Sequence, residues 1–176
     1  SAWTEEEVFR LAGLTYIPPE LREGTTEIAV AEEGSLPELV EIADIRGDLH
    51  VHTNWSDGIG SIRDMVEAAE RLGYEYIAIT DHSQSLAVAR GLAPEKLRQQ
   101  VEEINRLNDE REIHIFTGTE VDIKKDGQLD YPDELLRELD IVIASIHTNF
   151  HLSEESMTAR VEAALKHPLV TMLAHP

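Results

Sequence analysis

The chain has 176 residues, 15 Lys and Arg against 35 Asp and Glu, a formal charge of -20, and no cysteine. Its length suits one hydrophobic core; without cysteine, disulfides, thiolate nucleophiles and cysteine-held zinc are excluded, so any metal must sit on imidazole and oxygen. The acidic balance opposes unaided tight binding to a polyanion, and no apolar run approaches the ~20 residues of a membrane span.

The opening SAWTEEEVFRLAG lacks the basic flank and apolar run of a secretory signal, which reads as an intracellular, cytoplasmic protein. A short helix is expected at Thr4–Leu11, with Thr4 and Glu7 spaced as a capping box and Gly13 beyond the end. The prolines of YIPPELREG break the chain, and residues 27–33 are too acidic and alanine-rich to assign. Residues 1–44 are therefore expected to be an interdomain lead-in or linker, and residues 45–176 the main domain.

From Ile45 a repeating pattern sets in. Short apolar runs suited to buried strands occupy residues 45–52, 74–80, 112–118, 140–146 and 169–174. Between them, Ile62, Met65, Val66 and Ala69 share a helix face, with Ser61 as cap and Gly73 as stop. Pro94 opens a second helix with Leu97, Val101 and Ile104 as its stripe. A short helix is predicted at Asp133–Glu138, and a last one starts at Ser153 and buries Met157, Val161 and Leu165 before Pro168. Strands alternating with helices predict a parallel α/β sheet. With about five strand units present, the expected object is part of a barrel. No dinucleotide or P-loop glycine fingerprint follows the first strand.

Candidate ligands recur at the strand ends. His50 and His52 are alternate residues of the first strand, so both imidazoles face one way, roughly 7 Å apart along the backbone. Asp81–His82, Glu120, His147 and His175 then follow the next four apolar runs. In a curved parallel sheet those carboxyl ends form one face, so the recurrence points to a single metal pocket. Asp57, in the glycine-flanked loop NWSDGIG, is either a turn residue or a carboxylate returned to that pocket. Asp81 is a ligand, a proton-transfer group or a helix cap. Imidazole with carboxylate suits zinc, manganese or iron(II), and paired ions suit phosphoester hydrolysis. Trp55 either stacks on a base or covers its loop. Arg90, Lys124 and Lys125 are either isolated surface bases or positive charge offered to a phosphate, and His151 is either a surface loop residue or touches one; His114 and His167 read as non-ligands.

DLHVHTNWSDG, AITDHS, Gly118–Thr119–Glu120, ASIH and LAHP, in that order over about 130 residues, resemble the polymerase and histidinol phosphatase (PHP) family. The lead-in YIPPELRE and SIHTNFHLSEESMTARV are similar to the C-terminal PHP domain of family X DNA polymerases. The resemblance implies a distorted (β/α)7 barrel, incomplete in this chain, with up to three divalent ions. His50, His52 and Glu120 would hold the first, Glu120, His147 and His175 the second, and Asp57 and His82 would contribute to the third. The family's late Asp-x-His motif would fall beyond Pro176. The implied activity is manganese-favoured 3'-5' exonucleolytic processing of DNA ends, with zinc or iron(II) as other candidate metals and a polymerase domain on the N-terminal side. A small-molecule phosphatase resembling histidinol phosphatase, and a metal-stabilised domain without turnover, are the alternatives.

Overall fold

The computed structural model describes residues 3–175, so Ser1, Ala2 and Pro176, the last residue of LAHP, lie outside it. The chain divides into two units, Ser1–Asp44 and Ile45–Pro176. In the first, α1 (Glu5–Leu11) begins where Thr4 Oγ1 accepts the Glu7 amide at 3.3 Å and the Glu7 carboxylate accepts the Trp3 amide at 2.6 Å. The unassigned acidic stretch forms α2 (Glu27–Glu32), because the amides of Gly24 and Thr25 both donate to the Glu27 carboxylate at 2.7 Å. Arg22 ties this unit together. Its guanidinium lies 5.2 Å from the Phe9 ring centroid and 5.7 Å from that of Tyr16, and bonds Glu5 at 2.8 Å.

The second unit runs β1 (Gly47–Val51), α3 (Ile62–Arg71), β2 (Tyr76–Ile79), α4 (Pro94–Glu110), β3 (His114–Asp122), α5 (Asp133–Leu136), β4 (Ile141–Ser145), α6 (Glu154–Leu165) and β5 (Met172–Leu173). All neighbouring strands are parallel and lie in the order β1-β2-β3-β4-β5. Every crossover thus steps to the next neighbour, as in a barrel wall, and the five strands curl into half of one. β3 pairs with β2 through His114–Thr117 and with β4 through Gly118–Asp122. This stagger tilts the strands and carries β3 four residues past its expected end, so Glu120 lies within the strand.

The core explains why these helices form. Ser61 and Asp64 close a reciprocal capping box on α3, whose Ile62, Val66 and Ala69 pack with Ile104 and Leu107 of α4 on Val51, Ile77, Ile79 and Ile115. Three expectations need correction. The buried residues of α4 are Leu97, Gln100, Ile104 and Leu107, with Val101 only half-buried. On α6 the buried residues are Arg160 and Ala164, while Met157 and Val161 are half-buried and Leu165 is exposed. β5 has two residues rather than six, because it pairs only with Ile143 and Ala144 of β4. No described helix is long and apolar enough to cross a membrane.

Candidate metal centre

The curled sheet brings five of the seven predicted ligands to the carboxylate of a sixth. Glu120, 1% exposed in its side chain, sits on β3 with Oε2 3.3 Å from His50 Nε2, 3.2 Å from His52 Nε2 and 3.1 Å from His82 Nδ1. Its other oxygen, Oε1, lies 3.4 Å from both His147 Nε2 and His175 Nε2. Asp57 joins through the imidazoles, 3.4 Å from His52 Nδ1 and 3.5 Å from His82 Nε2. Compatible ligand groups are His50–His52–Glu120, His52–Asp57–His82 and His82–Glu120–His147.

These spacings fit coordination. An ion about 2.1 Å from each donor holds donors about 3.0–3.4 Å apart, the lower figure for octahedral and the upper for tetrahedral geometry. His50 Nε2 and His52 Nε2 are 3.1 Å apart, closing a triangle with Glu120 Oε2. Moreover, His52 Nδ1, His82 Nδ1 and Glu120 Oε1 are buried without hydrogen-bond partners. Each such orphan costs roughly 1–3 kcal/mol if nothing else satisfies it. A cation would satisfy Glu120 Oε1, and an imidazole that binds an ion through Nε2 keeps a proton on Nδ1 for the facing carboxylate, Asp57 for His52 and Glu120 for His82, so the residues fit a multinuclear site. Glu120 has the form of a bridging carboxylate, with one oxygen toward His50 and His52 and the other toward His147 and His175.

The electrostatics agree in direction. Burial disfavours the Glu120 carboxylate, yet the imidazoles of His147, His50 and His52 outweigh it and hold the group far below the ordinary carboxylate range. His147 is pushed up to about 9, first by its hydrogen bond to Asp122 and then by Glu120. Burial, then the neighbouring His52, push His82 down. For His52, burial opposes the charge, but Glu120, Asp57 and Asp81 outweigh it and raise the pKa.

Two further carboxylates sit behind the ligands. Asp81 is fully buried and accepts hydrogen bonds from Thr53 N (2.8 Å), Thr53 Oγ1 (2.6 Å), Ser56 N (3.3 Å), Ser56 Oγ and Gln100 Nε2 (2.6 Å). These bonds make it the anchor of the Thr53–Ser56 turn. Asp57 follows that turn directly. Gly58 is needed there, since a Cβ would fall 2.6 Å from the His52 carbonyl oxygen. Asp122, which sequence reasoning missed, bonds His147 Nδ1 at 2.9 Å. Its signal was the alternation Glu120–Val121–Asp122, which puts both carboxylates on one strand face.

Among the predicted substrate contacts, Trp55 is half-buried and packs against both major core clusters. Lys124 pairs with the buried Asp130 at 3.6 Å. Arg90 and His151 are exposed in the loops after β2 and β4. Arg90, Asn149 and His175 have positive φ (58°, 60° and 50°), each in a loop following a strand's carboxyl end, where strained backbone tends to gather around sites. Of the remaining histidines, His114 starts β3, far along the strand from Glu120, and His167 bonds Asp133 at 3.1 Å.

Residues 48–172 match the PHP domain family. The DNA polymerase/3'-5' exonuclease PolX of Bacillus subtilis (strain 168) is 49% identical over 174 residues, covering 98% of this chain and 30% of that protein. A probable phosphatase of Thermoanaerobacter sp. (strain X514) is 32% identical over 142 residues, covering 73% of this chain and 53% of that protein. The chain thus spans between about a third and about half of these curated relatives. Among solved structures, the histidinol phosphate phosphatase of Lactococcus lactis subsp. lactis, crystallised with zinc, L-histidinol and phosphate, is 20% identical with a TM-score of 0.41, covering 60% of this chain and 41% of that one.

Proposed function

This chain belongs to the PHP domain family, and on that premise we propose that it is the metal-dependent phosphoesterase part of a DNA-processing enzyme, trimming 3' ends in the 3'-5' direction. The observation that carries the metal reading is Glu120, presenting one carboxylate oxygen to His50, His52 and His82 and the other to His147 and His175 at coordination spacing. In this reading His50, His52 and Glu120 hold one divalent ion. Glu120, His147 and His175 hold a second, and Asp57 with His82 contributes to a third. Bound cations supply Lewis acidity and neutralise charge at phosphorus, with manganese the favoured ion and zinc or iron(II) the others. His50, His52, Glu120 and His147 thereby become the residues on which turnover depends. The bound cations would also let a chain of charge -20 accept an anionic substrate.

DNA is preferred to a small monoester because the similarity to the polymerase/exonuclease covers 98% of this chain, whereas the probable phosphatase covers 73%. The first unit is then the lead-in from a polymerase domain, which would supply the DNA grip that an acidic surface lacks. This role carries a cytoplasmic location with it. The probable-phosphatase relatives support small-molecule hydrolysis as the second reading. On the full-length protein with added manganese, release of mononucleotides from single-stranded DNA should exceed release of phosphate from small monoesters, and His50→Ala should abolish it. The reverse preference favours the phosphatase, and no turnover of either substrate defeats both.

A competing chemistry is also visible. Asp122, His147 and Ser145 lie in line, with Ser145 Oγ 3.2 Å from His147 Nε2, an order shared with nucleophile–base–orienter triads. Ser145 is fully buried on β4, however, and His147 Nε2 also faces Glu120. Ser145→Ala should therefore keep turnover within about threefold, whereas loss of a serine nucleophile costs on the order of 10⁴-fold or more. Steady-state rates of that variant decide between them.

A further inference from the structure

Asp122 follows Glu120 by two residues on β3, so the two carboxylates share a strand face. They meet opposite edges of one ring: His147 Nε2 lies 3.4 Å from Glu120 Oε1, and His147 Nδ1 lies 2.9 Å from Asp122 Oδ1. An ionised carboxylate only accepts hydrogen bonds. The proton between Asp122 and His147 must therefore sit on Nδ1, so Nε2, which faces Glu120, is the nitrogen left to give up its proton to an ion.

Asp122 is itself held rigidly. Its side chain is 5% exposed, its Oδ2 accepts from Ser85 Oγ at 3.0 Å, and its amide donates to Ser83 Oγ at 2.9 Å. The same region is clamped from α6 by Arg160, a buried guanidinium that donates to the carbonyls of Ile123, Lys124 and Thr148. Those carbonyls flank Asp122 on one side and His147 on the other, so one guanidinium ties together the backbone next to both residues. Asp122 cannot bind the same ion as Glu120, because the imidazole stands between them.

We infer that Asp122 is a positioning residue that fixes the tautomer and ring angle of His147 and so sets the affinity of the ion shared by Glu120, His147 and His175. The inference rests on the metal reading above. It extends the centre to a Ser85–Asp122–His147 line, through the buried Asp122, that connects the loop after β2 with the second ion.

Calorimetric titration of the full chain with Mn2+ separates the ions. Asp122→Asn, which keeps shape, should weaken one ion about tenfold, and Asp122→Ala should weaken the same ion up to ~100-fold. The ion that His50→Ala weakens should keep its affinity in both variants. With zinc bound, long-range nitrogen–proton spectra of the ring should report a protonated His147 Nδ1 in the wild type and its loss in Asp122→Ala. If the alanine variant does not fold, the asparagine variant carries the affinity test alone. Wild-type affinity for every ion in a folded Asp122 variant, or equal weakening of all ions, overturns the inference. A wild-type chain that takes up no ion sinks the metal reading itself, and the inference with it.

Discussion

Glu120→Gln should lower phosphoester hydrolysis by ~10³-fold or more while reducing bound metal, because a single substitution removes the shared ligand of two ions. Glutamine keeps the length and branching of glutamate but carries no charge. Its amide nitrogen would also turn two donors toward imidazoles that already need a cation or an acceptor. Only one of the two oxygen positions stays useful, so His50 and His52 or His147 and His175 lose their common partner. Loss of a peripheral ligand should be milder. Asp57→Asn leaves both Glu120-centred groups intact, since Asp57 meets the cluster through His52 and His82 and not through Glu120. Metal content by elemental analysis, measured beside the rate, is the decisive comparison. A Glu120→Gln protein with a full metal complement and near wild-type turnover would remove the bridging role from the proposal.

Much of this centre was legible because strand periodicity is a local property. His50 and His52 had to face one way whatever the fold, and the repeated placement of His82, Glu120, His147 and His175 after apolar runs needed only a parallel sheet to converge. The residues that escaped notice depend on partners distant in sequence. Asp122 reads as one more acid until His147, 25 positions on, donates to it. Arg160 reads as a solvated helix charge, yet it is 2% exposed because three carbonyls from two loops receive it. Its burial turns α6 away from the stripe of Met157, Val161 and Leu165. Gln100 is the same case on α4: an apolar stripe was expected, and a polar side chain occupies it in order to reach Asp81. In each instance the buried polar group is held by partners distant in sequence, and such partners cannot be read from spacing.

Asp81 gives the sharpest stability prediction on that ground. Five donors from Thr53, Ser56 and Gln100 end on one fully buried carboxylate, and Asp81→Ala would leave them facing a small cavity. Breaking a buried charged network of this kind costs about 3–5 kcal/mol, which for a chain of this size lowers Tm by roughly 10–15 °C. Asp81→Asn should cost less, since an amide oxygen can still accept from some donors while its nitrogen clashes with the rest. The location of the damage separates an anchor from a ligand. An anchor is lost with or without metal, so the fall in Tm should be nearly equal in chelator-treated and metal-loaded protein. A ligand would show its loss chiefly in the metal-loaded form, where binding adds stability to the native state alone. Because the Thr53–Ser56 turn also presents Asp57, Asp81→Ala should in addition weaken whatever ion Asp57 and His82 share, leaving the His50–His52–Glu120 group the least affected. A variant that melts like the wild type after chelation, and lower only when metal is present, would return Asp81 to the list of direct ligands.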